Sequence, residues 1–175
     1  MSGKVGRKMP LRNLPNWEEP KSYFPDQIPE ALIIPEALES NEFKLEGHKL
    51  VVLDNGFTDT EYSTSLYVPS LGLVVAGDAV YNSIHPYMPE ITEQSRLNWI
   101  AALDRIEGLK PHAVVAGHKN PVNNDNPQHI GATRKYIRDF NRLNHQTTTV
   151  RELYDKMLAR TIPRSCQFWV TLEFG

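Results

Sequence analysis

Leu73-Val74-Val75-Ala76-Gly77-Asp78-Ala79-Val80-Tyr81 opens with four consecutive apolar residues and runs through a glycine into a carboxylate. A strand with one face in water alternates apolar and polar residues, whereas an unbroken apolar run is the pattern of a strand buried on both faces. Leu50-Val51-Val52-Leu53 and Ala113-Val114-Val115-Ala116 repeat the pattern, and the second continues into Gly117-His118. Together these runs predict a sheet that needs cover on two sides. Beyond two of the runs stand Asp78 and His118, each expected on a loop at the strand end, where a metal centre could be built.

Outward from these runs, two hairpins are expected. One pairs Glu42–Leu45 with Leu50–Leu53 around a Glu46-Gly47-His48 turn, and the other pairs Tyr62–Val68 with Leu71–Gly77 around Pro69-Ser70; His112–Ala116 is a fifth strand. Three helices follow from capping signals and helical spacing. Thr92 caps a helix to about Gly108 with the stripe Leu97, Ile100, Leu103, Ile106. Asp125, with Pro127 in the first turn, opens a second whose stripe is Ile130, Ile137, Phe140, Leu143. Thr149-Val150-Arg151-Glu152 is a capping box ahead of Val150, Leu153, Tyr154, Met157 and Leu158. Each helix offers one apolar stripe, so the three can cover one face of the sheet. A patch drawn from Leu53, Leu66, Val68, Val74 and Val114 is then expected to stay uncovered and to drive self-association.

The organisation read along the chain is an N-terminal arm and Pro-rich connector over 1–40, an α/β half-domain over 41–160 and a tail over 161–175, with no internal repeat. A length of 175 residues fits one domain, and 19 Lys plus Arg against 21 Asp plus Glu gives no electrostatic reason to expect nucleic acid or an anionic membrane as partner. No stretch approaches the roughly 18 apolar residues of a membrane span. The first fifteen residues carry Lys4, Arg7, Lys8 and Arg12 but no apolar run of a secretory signal. The single cysteine, Cys166, has no partner for an intramolecular disulfide, so a reducing, cytoplasmic setting is the expectation.

Gly56-Phe57-Thr58-Asp59, Ser65-Leu66-Tyr67-Val68-Pro69, Leu73 through Tyr81 and Ala116-Gly117-His118-Lys119 follow one another in an order that resembles the C-terminal half of the metallo-β-lactamase superfamily, from about Asn41 to Leu143. The resemblance implies an α/β fold: the C-terminal half of an αβ/βα sandwich, one mixed sheet with helices on one face. It also implies roles. Asp78 matches the metal-bridging aspartate and His118 the final histidine, while Phe57 stands where the family has a histidine. The His-x-His-x-Asp-His motif of the family's other half does not occur in this sequence. The implied ancestral reaction is hydrolysis of a lactam, lactone or (thio)ester, with two zinc ions in complete relatives and detoxification of a small xenobiotic as a context.

A catalytic zinc site wants about three protein ligands and one position for water. Asp78 and His118 are two, and phenylalanine at 57 has no lone pair to give. His48, His112, His129 and His145 lie outside the motifs; His85, seven residues after Asp78 and expected on the same loop, is the nearest substitute. Tyr81 and His85 are candidates to line a substrate pocket, with Asn82 and Tyr87 beside them. Taken singly, Asp78 reads as a turn carboxylate and His118 as a solvated loop histidine; their order among the motifs makes them vestigial metal ligands. Thr58, Asp59 and Thr60 read as local turn hydrogen bonding. The expectation is a truncated, degenerate hydrolase without a catalytic residue that can be assigned, with zinc absent or weakly held and a small-molecule substrate if it acts at all. The alternatives are a non-catalytic binding or structural remnant, one half of a complementing pair, and a chain whose start lies further upstream.

Overall fold

The structure, a computed structural model, describes Pro25, Gln27 and residues 38–88 and 91–161. The chain divides into two units, Met1–Asn41 and Glu42–Gly175, and the elements below belong to the second. Most of the Pro-rich connector, Cys166 and the expected tail beyond Thr161, which is the last residue of a helix, lie outside the described residues.

Five strands form one sheet in the order β1-β2-β3-β4-β5: β1 Glu42–Leu45, β2 His48–Gly56, β3 Ser63–Val68, β4 Leu73–Asn82 and β5 Ala113–Lys119. The first four are antiparallel neighbours and β4 pairs with β5 in parallel, so the sheet is mixed. Helices α1 Glu93–Gly108, α2 Gln128–Asn144 and α3 Val150–Thr161 complete it. The first hairpin turns in two residues, because Glu46 and Gly47 both take positive φ (50° and 84°) and His48 already pairs with Leu45. The expected three-residue turn is therefore one residue too long.

Helix α1 sits on β2 and β4, α2 on β4, and α3 on α2. The core lies between sheet and helices, with Val74, Val114, Trp99, Leu103, Ile130 and Ile137 fully buried. The Trp99 indole donates to the Ala79 carbonyl at 2.9 Å, which satisfies the polar edge of that ring inside the core. Thr92 caps α1 as expected, its hydroxyl accepting from Ser95 N–H at 3.1 Å. The expected stripe is displaced: Leu97 is exposed, and the buried face runs through Arg96, Trp99, Ala102, Leu103 and Ile106. Asp125 does not cap α2; it pairs with Lys119 at 2.7 Å, and the Asn126 carboxamide oxygen accepts from Gln128 N–H at 2.9 Å instead. Half of the expected capping box before α3 forms, Thr149 Oγ1 accepting from Glu152 N–H at 3.2 Å, while the Glu152 carboxylate accepts from the N–H of Thr148, one residue before the cap, at 3.1 Å.

Register sorts the sheet residues by face. Val52 pairs with Leu66, Leu66 with Val75 and Val75 with Val115, giving a row across four strands on the face away from the helices. Tyr67, Val74 and Val114 form the matching row under the helices. The expected uncovered patch is thus corrected: Val74 and Val114 are fully buried under α1 and α2, and Val75 takes their place on the outer face, 38% exposed. Among the described residues no helix is long and apolar enough to cross a membrane.

Candidate functional site

Both ligand-type residues sit within strands rather than on loops after them, which corrects the expected placement. Strand β4 runs on through Asp78 to Asn82, and β5 through His118 to Lys119, with register shifts between Val75 and Gly77 and again between Gly77 and Tyr81. Gly77, at φ 55°, makes this irregularity possible. The shifts bring Asp78 against the neighbouring strand, where a Cβ on Gly117 would lie 2.1 Å from Asp78 Oδ1. Glycine at 117 is therefore the condition for the approach. His118 Nε2 stands 3.6 Å from Asp78 Oδ1, with both side chains a little under half exposed.

Behind this pair lies a second layer. The Tyr81 ring stacks on His118 with centroids 5.3 Å apart and 23° between planes. Its hydroxyl donates to Asp59 Oδ2 at 3.3 Å. Thr58 donates to the other carboxylate oxygen at 2.9 Å, and Ser63 and Thr58 share a 2.5 Å hydroxyl contact. Tyr81 is itself fixed through its backbone, its N–H donating to Thr133 Oγ1 of α2 at 3.1 Å. Burial, with the Asp78 charge adding to it, raises the Asp59 pKa above the ordinary aspartate value of 3.8, against the lowering effect of the Thr58 and Tyr81 hydroxyls. Burial also raises the Tyr81 phenol, so it stays protonated and acts as donor. Tyr81 and Asn82, expected on a loop, are buried in β4. Asp59 does make the expected local bond with Thr58, yet its link to Tyr81, 22 residues away, was not legible from the local sequence.

A cavity of about 620 Å3 opens beside these groups, with Asp59, Tyr81 and His118 at its polar end. Its other walls come from the loop after β4 and from α2 and α3, including Met88, Tyr136, Phe140, Leu153 and Met157. His85 lines the same cavity, but its partner is Tyr136, with Nδ1 3.0 Å from the phenol oxygen and the rings edge-on at 75°. Phe57 is elsewhere: half-buried, it packs against the main core.

An α/β unit of one mixed sheet with helices on one face, an aspartate and a histidine on its adjoining parallel strands and a cavity beside them, is the frame of a metallohydrolase half. The family model of the metallo-beta-lactamase superfamily matches residues 4–118, well over half of the chain, and the chain belongs to that superfamily. Among solved structures it is similar to a metallo-beta-lactamase family protein from Thermus thermophilus, at 21% identity and TM-score 0.55 over 73% of this chain and 44% of that one. The metallo-beta-lactamase IND-7 shares 15% identity at TM-score 0.51, over 61% of this chain and 49% of that one. A metallo-beta-lactamase from Pontibacter korlensis shares 18% identity at TM-score 0.49, covering 58% of this chain and 47% of that one. The chain thus spans about half the length of these structures, and the likeness to the first two is one of fold. No curated protein matches it.

The superfamily is generally metal-dependent, and the donor set here does not fit a catalytic metal. Asp78 and His118 supply two donors, Phe57 is committed to the core, and among the described residues no three His, Cys, Asp or Glu side chains are grouped to hold an ion. His85 is engaged with Tyr136 and does not fill the gap.

Proposed function

We propose that this chain is a degenerate member of the superfamily that binds a small molecule beside Asp78 and His118 without hydrolysing it efficiently. The ligand would come from the range that complete relatives are expected to open, compounds with a lactam, lactone or (thio)ester carbonyl, and removal of a small xenobiotic by sequestration is the context we favour. The observation that carries the reading is Phe57: at the position where the resemblance asks for a metal-binding histidine, an aromatic ring is packed against the core. A side chain that contributes burial there cannot be turned into a ligand by protonation or rotation.

Asp59, Tyr81 and His118 form the polar end of the cavity, and Asp78 stands 3.6 Å from the His118 ring. Asp78 and His118 form an ion pair when the imidazole is protonated, and His118 offers a ligand in the cavity a ring nitrogen. Tyr81 holds the His118 ring by stacking and is in turn held by Asp59, so the polar end is fixed in place before a ligand arrives.

The test is metal content and turnover. After dialysis the unmodified chain should retain well under one equivalent of zinc, and lactone, lactam and thioester substrates should hydrolyse no faster than in buffer. Phe57→His should raise zinc retention without restoring efficient hydrolysis, because a third ligand does not rebuild the remaining coordination or its support. Stoichiometric zinc in the unmodified chain, with hydrolysis abolished by a chelator, would overturn the proposal.

A further inference from the structure

The cavity's far wall is made by parts of the fold that the metal-type residues do not touch. Tyr136 and Phe140 stand on α2, Leu153 and Met157 on α3, and Tyr87 and Met88 on the loop after β4. Aromatic rings and methionine thioethers give a wall that accepts a flat ring by edge and face contact. A volume of about 620 Å3 lies within the ordinary range of small-molecule pockets, roughly 300 to 1,000 Å3, and is too large for a single small acyl group.

Charge narrows the occupant. Among the described residues that line the cavity there is no Lys or Arg, and Asp59 is the carboxyl among them. Arg96 stands behind the Phe140 ring, 5.0 Å from its centre, with its N–H groups directed to the Ile91 carbonyl and Asn141. An anion entering here would leave water with no Lys or Arg to meet it, beside the Asp59 carboxyl and a His118 ring already set against Asp78 at 3.6 Å.

The far wall carries polar groups at Asn144, Tyr87 and Tyr154, and one fixed polar pair, His85 with Tyr136 at 3.0 Å. Burial raises the phenol pKa and lowers that of the imidazole, so both are neutral at neutral pH. In the arrangement we assign, the hydroxyl donates to Nδ1, the ring proton resides on Nε2, and the pair presents a neutral donor in an apolar wall. Such a donor selects a ligand that carries an oxygen acceptor.

We infer that this cavity takes an uncharged, aromatic small molecule whose oxygen acceptor is read by the His85–Tyr136 pair. The inference rests on the reading above that the chain binds a small molecule here, and names the class of that molecule.

The test uses the full, chelator-treated chain and calorimetric titration with three probes. These are 7-methoxycoumarin, neutral and bearing a carbonyl; 7-methoxycoumarin-3-carboxylate, its anionic relative; and naphthalene, which has no acceptor. The neutral coumarin should bind one to one and the carboxylate about tenfold more weakly or worse. Tyr136→Phe should weaken the coumarin about fivefold and leave naphthalene unchanged, which a purely packing role for Tyr136 would not do. Leu153→Trp, which narrows the cavity with a bulkier ring, should weaken binding of all three while far-UV circular dichroism and melting stay close to those of the unmodified chain. Equal or tighter binding of the carboxylate overturns the inference. So does an equal loss of naphthalene in Tyr136→Phe, unchanged binding in Leu153→Trp, or no binding of the neutral coumarin. Metal content and turnover, which decide the proposal of the preceding subsection, are not read in these titrations.

Discussion

Gly117→Ala tests the geometry on which the site depends. The added methyl carbon would lie 2.1 Å from Asp78 Oδ1, 3.2 Å from Asp78 Cγ and 3.0 Å from the Gly77 carbonyl carbon. The carboxylate has to rotate away, which breaks a 3.6 Å pair between groups that are nearly half exposed; that loss is below about 1 kcal/mol. The remaining crowding against Gly77 backbone adds on the order of 1 kcal/mol. Replacing glycine by alanine also lowers the entropy of the unfolded chain, which offsets about 0.4–1 kcal/mol of this. The net cost should be about 1 kcal/mol, seen as a drop in Tm of about 2–4 °C for a chain of this size. The decisive measurement is a thermodynamic cycle with Asp78→Ala. Removing the carboxyl removes most of the clash, whereas the entropic benefit is the same in both backgrounds, so Gly117→Ala should become close to neutral there. A coupling of about 0.5 kcal/mol or more supports the close approach of Asp78 to β5. Equal cost in both backgrounds refutes it.

Three further outcomes follow. Asp78→Asn should lie within about 0.5 kcal/mol of the unmodified chain by thermal denaturation, because the half-exposed carboxylate has one distant partner; a loss of about 2 kcal/mol or more would reveal a charge still satisfied by an ion or a network. Asp59→Asn should stabilise the chain at pH 7, with the gain fading as pH falls through the raised Asp59 pKa toward 3.8. The sign follows from the direction of the shift: a carboxyl raised on folding favours the native state while protonated and loses that contribution as pH rises through its folded value. A gain that instead grows on acidification would contradict the burial of Asp59. Finally, we propose that the outer face of the sheet seats a second copy of the chain, so sedimentation should show concentration-dependent association that Val75→Lys weakens, Val75 standing mid-row and 38% exposed.

The sheet was legible because burial on two faces leaves an unmistakable composition, and the same fact hid its details. In an alternating strand, parity tells which residue faces which way. In Leu73-Val74-Val75-Ala76 every position is apolar, so nothing local distinguishes Val74, fully buried under the helices, from Val75 on the outer face. Only pairing decides, through Tyr67 opposite Val74 and Leu66 opposite Val75. Helix α1 misled for a related reason. Four apolar residues at spacing three drift around a helix with 3.6 residues per turn, and the true buried face includes Arg96, a residue that composition assigns to the surface and that the core accepts because Ile91 O and Asn141 receive its donors.

Within the site, sequence order led to Asp78 and His118, whereas the pairings that build the rest of the cavity come from contacts 22 to 52 residues apart: Tyr81 with Asp59, His85 with Tyr136, and the Tyr81 backbone with Thr133. No short motif encodes such distances. Phe57 and Asp59 nevertheless fit together physically. With an aromatic ring at 57 directed to the core, the buried Asp59 has no cation among the donors identified around it, and hydroxyls take that role, Thr58 on one oxygen and Tyr81 on the other. A carboxylate already satisfied by two fixed hydroxyls draws less from a metal than one left open to it, since binding an ion would first have to compete with those bonds. The Phe57 ring and the hydrogen bonding at Asp59 therefore favour the same arrangement, a polar cavity end held by protein donors, which is the arrangement the proposed function requires.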